Sequence, residues 1–259
     1  LHESATFFEV FTTAVVAGIH VVILVISKDL GSALIFFVVY VLMVFVATRN
    51  PLYLLAGTTG GSVAAVIAYQ AFRHVQVRVQ AWRDPWSEID STGYQITQSL
   101  FAIGSGGWFG MGLFEGTPNS IPFVEADFIF SALAEELGTI FAMCVILICL
   151  SSFIMFMSIS MKLNDSFYRL IAFGLGVTYI FQVFLTIGGG SKFIPLTGVT
   201  LPLVSYGGSS VLTTLIMFAI IEGLCMVKGD EEKEEKYAVR KKRKAKNNRT
   251  EERNERKEE

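Results

Sequence analysis

Four carboxylates lie where a strongly apolar run begins. The stretch FVEADFIFSALAEELG, residues 123–138, carries Glu125, Asp127, Glu135 and Glu136 and leads into the apolar residues 137–161. An acid inside a membrane costs about 2.5–3.5 kcal/mol at the bilayer centre, so such residues normally face a polar cavity and act there. Carboxylates in a cavity of this kind are suited to proton transfer. The alternative is that they are interfacial acids that only cap a helix.

A helix is expected to begin after Pro122. Proline is well tolerated in a first helical turn, and acids are favoured near the positive end of the helix dipole. On that helix Asp127 and Glu135 would lie about 80° apart, while Glu136 would point to the opposite side. Asp127 and Glu135 are therefore predicted to share one wall of a cavity.

Three arginines recur every five residues in the segment that leads to these acids, as Arg73, Arg78 and Arg83. The surrounding sequence RHVQVRVQAW alternates polar and apolar residues, which predicts an extended or surface-lying segment with its valines on one face. The five-residue spacing keeps the arginines off a single stripe. They would therefore surround a site instead of lining one wall.

Glycines follow a short amphipathic helix predicted over residues 94–103. No buried strand precedes them, and their spacing differs from the dinucleotide fingerprint, so a nucleotide-binding loop is a poor interpretation. Close approach of the backbone, or a bend at the membrane surface around Trp108 and Phe109, is favoured instead. The glycines concerned are Gly104, Gly106, Gly107, Gly110 and Gly112.

The elements that position these residues are predicted to be transmembrane helices. The chain is 52% hydrophobic, its mean hydropathy is +0.53 and its charges are clustered, which is typical of a polytopic membrane protein. About 20 apolar residues cross ~30 Å of hydrocarbon as a helix. The predicted fold class is all-α, a transmembrane bundle within residues 1–227 with six spans, at roughly 8–27, 30–48, 52–72, 137–161, 170–191 and 203–227.

Two further segments complete the organisation. Residues 73–136 are too long for a simple connection, which predicts a functional loop. Residues 228–259 are strongly charged and almost free of apolar side chains, so a disordered tail is expected, either plainly solvated or in contact with anionic lipid through residues 240–244. The basic tail is predicted to be cytoplasmic, and counting spans back from it puts the loop 73–136 outside the cell.

Four stretches stand out as motifs: KDLGSA at 28–33, GYQITQSLFAIGSGGWFGMGL at 93–113, DFIFSALAEELG at 127–138 and PLTGVTLPLVSYGGSS at 195–210. Together they resemble the SEDS family, the FtsW/RodA/SpoVE group of bacterial shape, elongation, division and sporulation proteins. The resemblance implies ten transmembrane helices with both termini in the cytoplasm, of which the six spans would be the last six. The first span begins early and lacks the pattern of a signal peptide, which also predicts the C-terminal part of a longer protein.

The resemblance implies a peptidoglycan glycosyltransferase of the bacterial cytoplasmic membrane. Such an enzyme polymerises lipid II, the lipid-linked disaccharide precursor, into glycan strands beside a class B penicillin-binding protein. The family's essential aspartate falls on Asp127, and the aspartate of a second motif falls on Asp29. Two alternatives stay open, namely a flippase that moves lipid II across the membrane and a non-catalytic scaffold for division or elongation partners.

Within that function Asp127 would be the general base that takes the proton of the acceptor 4-hydroxyl, with a pKa raised by burial and lowered by arginines. Guanidinium and ammonium donors suit phosphate oxygens, so Arg73, Arg78, Arg83 and Lys192 are assigned to the pyrophosphate. The remaining candidates for substrate binding are Asp29, Gln98, Glu135, Ser205 and Tyr206. No metal cluster or cofactor is assigned, although a divalent cation stays open as an aid to the leaving phosphates, and nucleic acid is not an expected partner.

Overall fold

The computed structural model describes residues 7–229 and Lys241, and every regular element in that part of the chain is helical. The predicted tail, residues 228–259, lies outside the described residues except for its first two positions and Lys241. The helices are α1 (Phe7–Ile26), α2 (Leu30–Thr48), α3 (Pro51–Ala71), α4 (Arg73–Arg83), α5 (Tyr94–Gly106), α6 (Ile129–Lys162), α7 (Ser166–Gly190) and α8 (Gly208–Gly229), with a 3-10 turn at Pro118–Ser120.

Six of the helices in the described part are long and apolar enough to cross a membrane, namely α1, α2, α3, α6, α7 and α8. The predicted all-α class and the six spans are thus confirmed, and the chain is a multi-pass membrane protein. The short helices α4 and α5 lie in the connection between α3 and α6, which is the long loop expected from the sequence.

Aspartate side chains cap the first turns of two spans. Asp29 accepts a hydrogen bond from the Ser32 amide at 3.0 Å at the start of α2, and Asp165 accepts one from the Phe167 amide at 2.7 Å at the start of α7. The first amides of a helix have no intrahelical partner, so such caps stabilise the point at which a span begins. Asp29 is therefore held at a fixed position at one end of α2.

The best-packed part of the bundle lies between α6, α7 and α8. Phe156 of α6, Tyr179 of α7 and Phe218 of α8 meet edge to face, with ring centroids 5.0–5.7 Å apart. Aromatic pairs at such distances contribute ~0.5–1.5 kcal/mol beyond the burial of their area. Residues 191–207, called the α7–α8 loop below, are thus anchored at both ends in this core.

The segment that was expected to be extended or surface-lying is the helix α4. Val75, Val79 and Trp82 are half-buried, whereas Val77 is exposed. These three residues are spaced by four and then three positions, which is the spacing of residues on one face of a helix. The extended prediction is wrong because the alternating pattern of this short segment also contains a helical period.

A second correction concerns the start of α6. The helix begins at Ile129, not directly after Pro122, and the residues between form turns in which Phe123 has a φ of 59°. The amide of Asp127 donates to the carbonyl oxygen of Phe123 at 3.1 Å. Asp127 therefore precedes the helix that carries Glu135, and the predicted angle between these two carboxylates on one helix is wrong.

α6 is interrupted at Gly138, whose φ of 86° and ψ of 169° belong to a region that is essentially open to glycine alone. Residues 107–114, called the aromatic loop below, lie against this break. Four backbone hydrogen bonds join the two: Met111 N to Glu135 O at 2.9 Å, Gly112 N to Glu136 O at 3.0 Å, Thr139 N to Gly107 O at 2.9 Å, and Ile140 N to Trp108 O at 3.3 Å. The loop thereby satisfies carbonyls and amides that the break would leave unpaired.

The glycines of this region allow the backbones to touch. A Cβ added to Gly110 would lie 2.2 Å from the Glu136 carbonyl oxygen, and one added to Gly138 would lie 2.4 Å from the Gly110 nitrogen. Distances this short leave no room for a side chain. Of the five glycines for which close backbone approach was predicted, Gly106 and Gly110 show it, whereas an added Cβ would meet nothing within 4 Å at Gly104 and Gly107 and only a side chain at Gly112.

Candidate functional site

The turn that carries Asp127 is fixed by the α7–α8 loop. The buried Ser205 hydroxyl donates a hydrogen bond to the carbonyl oxygen of Ala126. The Tyr206 amide donates to the carbonyl oxygen of Glu125 at 2.7 Å. Two successive backbone carbonyls next to Asp127 are therefore held by residues about eighty positions further along the chain.

Asp127 and Arg78 both lie beside Gly198. A Cβ added to Gly198 would lie 3.7 Å from Asp127 Oδ2 and 3.7 Å from Arg78 Nη2. Arg78 is held in place by its Nη1, which donates to the carbonyl oxygens of Thr197 at 3.0 Å and Leu196 at 3.4 Å. Three separate segments, α4, the turn before α6 and the α7–α8 loop, thus build one arrangement of a carboxylate and a guanidinium.

The surroundings of Asp127 change its acidity in two opposite ways. Burial raises the pKa of its carboxyl above the ordinary value of 3.8, and the positive charge of Arg78 opposes that rise. Both effects were predicted from the sequence. A carboxylate with a raised pKa is a better proton acceptor than an exposed aspartate, so this side chain is suited to accept a proton from a hydroxyl group.

A polar cavity of about 330 Å³ includes Gly198 and lies where α2, the α7–α8 loop and α8 meet. Seven of its twelve lining residues carry a hydroxyl or amide group, and Asp29 at the start of α2 contributes a carboxylate. Its mixed donors and acceptors suit a ligand that carries many hydroxyl groups, such as a sugar. The lining residues are Asp29, Ser32, Ile35, Gln182, Gly198, Val199, Thr200, Gly207, Ser209, Ser210, Thr213 and Thr214.

Two polar residues inside α7 support this cavity and were not among the sequence-based candidates. Gln182 Nε2 donates to the carbonyl oxygen of Thr200 at 2.9 Å, and Thr186 Oγ1 donates to the carbonyl oxygen of Val199 at 2.9 Å. A signal was present in the sequence, because Thr178, Gln182 and Thr186 follow one another at intervals of one turn in a largely apolar span. Such residues usually face the interior of a bundle and mark a functional region.

Of the four basic residues predicted to bind phosphate, Arg78 is the one whose charge acts on Asp127. Arg73 and Arg83 are exposed on α4. Lys192 is half-buried in the α7–α8 loop, where its carbonyl oxygen accepts a hydrogen bond from an indole of α4 at 3.1 Å. Phosphate binding by these three residues stays a prediction.

The other predicted binding residues contribute mainly through the backbone or through neighbours. The ring of Tyr206 is 81% exposed, and its amide is what holds the turn before α6. Gln98 is half-buried on α5. The adjacent Ser99 is buried, donates to the carbonyl oxygen of Gly190 at 2.7 Å and lies 2.6 Å from the Ser131 hydroxyl, so α5 is tied to both α6 and α7 at this point.

Glu135 is buried on the short part of α6 that precedes the break, with 5% of its surface exposed. Its Oε1 accepts a hydrogen bond from the Thr117 amide at 3.1 Å, and its Oε2 is buried without a hydrogen-bond partner among the residues described. The hydrogen bond from Thr117 holds the segment that leads towards Asp127. A direct role of Glu135 in binding substrate stays a prediction.

Replacing Ser205 by Ala should destabilise the protein. The hydroxyl bonds the Leu201 amide at 2.8 Å and the Ala126 carbonyl oxygen, and both backbone groups would lose this partner. Each buried polar group without a partner costs ~1–3 kcal/mol. We expect a lower midpoint of thermal unfolding in detergent than for Ser209→Ala, which changes an exposed serine in the same motif; equal midpoints would contradict the role given to Ser205.

Comparison with known proteins assigns the chain to a family. The family described as Cell cycle protein (FtsW/RodA/SpoVE) matches residues 3–228. The chain is 40% identical over 203 residues to a Mycobacterium bovis protein named Peptidoglycan glycosyltransferase RodA, across 78% of this chain and 43% of the relative. It is 34% identical over 209 residues to an Aliivibrio salmonicida protein named Probable peptidoglycan glycosyltransferase FtsW, across 76% of this chain and 51% of the relative. The chain thus spans about half the length of these relatives.

A solved structure shares the arrangement of the helices. It was reported under the description "Structural coordination of polymerization and crosslinking by a peptidoglycan synthase complex". The similarity has a TM-score of 0.71 at 25% identity and covers 86% of this chain and 62% of that one. The family match includes Arg78, Asp127 and the whole α7–α8 loop. The chain therefore belongs to the SEDS family, the FtsW/RodA/SpoVE group of membrane proteins.

Proposed function

We propose that the protein is a peptidoglycan glycosyltransferase that polymerises lipid II into glycan strands. The observation on which this proposal depends is the position of Asp127, whose turn is held by the α7–α8 loop and whose carboxylate lies with Arg78 beside Gly198. The relatives from Mycobacterium bovis and Aliivibrio salmonicida are named for the same activity, which supports the proposal.

In this reaction Asp127 accepts the proton of the acceptor 4-hydroxyl, and the oxygen of that hydroxyl forms a bond to the anomeric carbon of the donor sugar. The bond from the anomeric carbon to pyrophosphate breaks, and the lipid pyrophosphate leaves with the bonding electrons while the configuration inverts. Pyrophosphate is a stable anion, so no second acid is required. One positioned base contributes about 10²–10⁴-fold to such a step.

The negative charge of the leaving pyrophosphate needs a positively charged partner. We assign this role to Arg78, because its charge acts on Asp127. A guanidinium forms strong, charge-assisted hydrogen bonds with phosphate oxygens. Within residues 7–229, no three His, Cys, Asp or Glu side chains come together to hold a metal ion. Mg²⁺ can also bind through one or two carboxylates and the phosphates of a substrate, so help from a divalent cation stays a prediction and no step is assigned to it. The polar cavity around Asp29 and Gln182 would bind the hydroxyl groups of the sugars.

The site would lie on the outer face of the bacterial cytoplasmic membrane. α4, α5 and the turn with Asp127 all belong to the connection between α3 and α6, so they are on the same side of the bundle. If the basic C-terminal tail is cytoplasmic, as the positive-inside tendency indicates, that side is external. A class B penicillin-binding protein is the partner we infer, and the similar structure's description as a peptidoglycan synthase complex supports a partner of this kind.

The proposal is tested by supplying labelled lipid II to the purified full-length protein and its penicillin-binding partner in detergent, with penicillin present to block crosslinking. We expect glycan strands that are resolved by size on a gel. Detergent micelles have no second compartment, so a flippase would make no polymer there. Absence of strands together with transport of lipid II in vesicles would favour the flippase and overturn the proposal.

Arg78→Gln should move the acidic limb of the pH–rate profile to higher pH. The base must be ionised, so the rate falls as the pH drops through the pKa of Asp127, and removing the charge that opposes the effect of burial raises this pKa further. Arg78→Lys keeps the charge, so its limb should stay near that of the parent even if its rate falls. The measurement is kcat/KM for strand formation against pH.

The control for this comparison is Arg169→Gln, which removes a positive charge near the start of α7 at the other end of the bundle. The acidic limb of the pH–rate profile of Arg169→Gln should coincide with that of the parent protein. A limb that is unchanged in Arg78→Gln, or one that moves to lower pH, would contradict the electrostatic role given to Arg78.

A further inference from the structure

Apolar side chains crowd the surface of the aromatic loop. Trp108 is 66% exposed, Phe109 is 85% exposed and Phe114 is 90% exposed, and Met111 and Leu113 beside them are also exposed. No charged residue occurs between Gly107 and Phe114, and Glu115 follows directly. A contiguous exposed patch of this kind on a folded segment usually marks an interaction site.

The position of the loop along α6 gives its depth. Lys162 ends α6, and a helix needs about 20 residues to cross ~30 Å of hydrocarbon. Counting back from Lys162 by this number puts the outer boundary of the hydrocarbon near residue 142, about one turn from Gly138. The backbone of the aromatic loop is bonded to the break at Gly138, so its side chains lie at the level of the membrane interface.

We propose that the aromatic loop is a lipid anchor whose apolar side chains insert into the interface of the outer leaflet, with phospholipid as the partner. Tryptophan is enriched at this depth because its ring is apolar while its N–H group can bond to water and headgroups. A patch without charges at this level favours lipid over the soluble part of another protein. Glu115 limits the insertion, because a carboxylate stays with the headgroups.

Anchoring would act on the site through the backbone. The aromatic loop bonds both ends of the α6 break, and Glu135, just before that break, holds the segment that leads to Asp127. Lipid bound to Trp108 and Phe109 would therefore restrict the motion of the segment that carries the Asp127 carboxylate. The inference itself rests on the membrane span of α6 and not on the proposed reaction, so its test can fail while the reaction stands.

The test uses tryptophan fluorescence in nanodiscs. Trp82→Phe and Trp86→Phe leave Trp108 as the remaining tryptophan of these 259 residues, and any tryptophan of the protein or of the nanodisc scaffold outside them is also replaced by Phe. We expect Trp108 to lose most of its emission in phosphatidylcholine brominated on the acyl carbons nearest the headgroup, and to be quenched much less by aqueous iodide. Stronger quenching by iodide than by brominated lipid overturns the proposal. Shielding from both quenchers also overturns it and indicates that protein covers the loop.

A second measurement keeps the native side chains. The unsubstituted protein is reconstituted with a phospholipid that carries a diazirine near its headgroup, illuminated, digested and examined by mass spectrometry. We expect lipid adducts on residues 108–114 and few on residues 87–92, which are polar except for Ile89 and lie in the same connection between spans. Adducts on residues 87–92 with none on residues 108–114 would overturn the lipid anchor.

Discussion

Asp127→Asn should abolish glycan polymerisation, with a loss of about 10²–10⁴-fold in kcat, which is the usual contribution of one positioned base. The amide has the size and shape of the carboxyl, so the turn before α6 should keep its hydrogen bonds to Ser205 and Tyr206, which involve only backbone carbonyls on the Asp127 side. What disappears is the group that accepts the proton. The measurement is the rate of strand formation from labelled lipid II.

Glu125→Gln is the matched control for Asp127→Asn. It removes the same charge from the same turn, but the Glu125 side chain is exposed and only its carbonyl oxygen takes part in the contact with Tyr206. Polymerisation should stay close to that of the parent protein. If Asp127→Asn folds, binds its penicillin-binding partner and still makes strands at the parent rate, Asp127 is not the base and the proposed chemistry is wrong.

Gly138→Ala should destabilise the protein and suppress polymerisation together. Its φ of 86° and ψ of 169° cost a residue with a side chain ~1–3 kcal/mol. The added Cβ would also lie 2.4 Å from the Gly110 nitrogen and 2.5 Å from the Trp108 carbonyl oxygen. Backbone atoms cannot move as a flexible side chain can, so the aromatic loop must separate from the break. We expect the midpoint of thermal unfolding to fall by roughly 5–10 °C.

Gly104→Ala provides the comparison for Gly138→Ala. Gly104 lies in α5 with nothing within 4 Å of an added Cβ, so the substitution removes only flexibility and should stabilise by ~0.5–1 kcal/mol. Opposite shifts of the two unfolding midpoints would support the contact between the aromatic loop and α6. A Gly138→Ala protein that is as stable and as active as the parent would show that the break is not required.

The sequence was sufficient for the spans because each is a long apolar run and the hydrophobic effect of the bilayer acts on composition alone. The cap at Asp29 was also within reach, since an aspartate before an apolar run satisfies free amides of the first turn. The helix α4 was not predictable, because the alternating valines of residues 75–79 fit a strand and a helix equally well. Only the pattern of buried side chains in the folded protein distinguishes a helix from a strand here.

The candidate site also contains residues that the sequence predicts and residues that it does not. Asp127 was predicted from its chemistry and its family motif, and Arg78 was one of four basic candidates that spacing could not separate. The turn that holds Asp127 outside α6 depends on Ser205 and Tyr206, which lie far away in the chain. Contacts between segments so distant leave no periodic pattern in the sequence, so the start of α6 was misplaced. Gln182 and Thr186 were missed for another reason, because their signal, polar residues one turn apart in a span, was present but was not used.

The two residues before Asp127 bind the α7–α8 loop through their carbonyl oxygens. Every amino acid carries that oxygen, so evolution can exchange the side chains of Glu125 and Ala126 without moving the carboxylate. Resistance to an inhibitor that binds mainly to those two side chains would therefore arise rapidly. One that binds Asp127 and the main chain beside it would leave few substitutions that cause resistance.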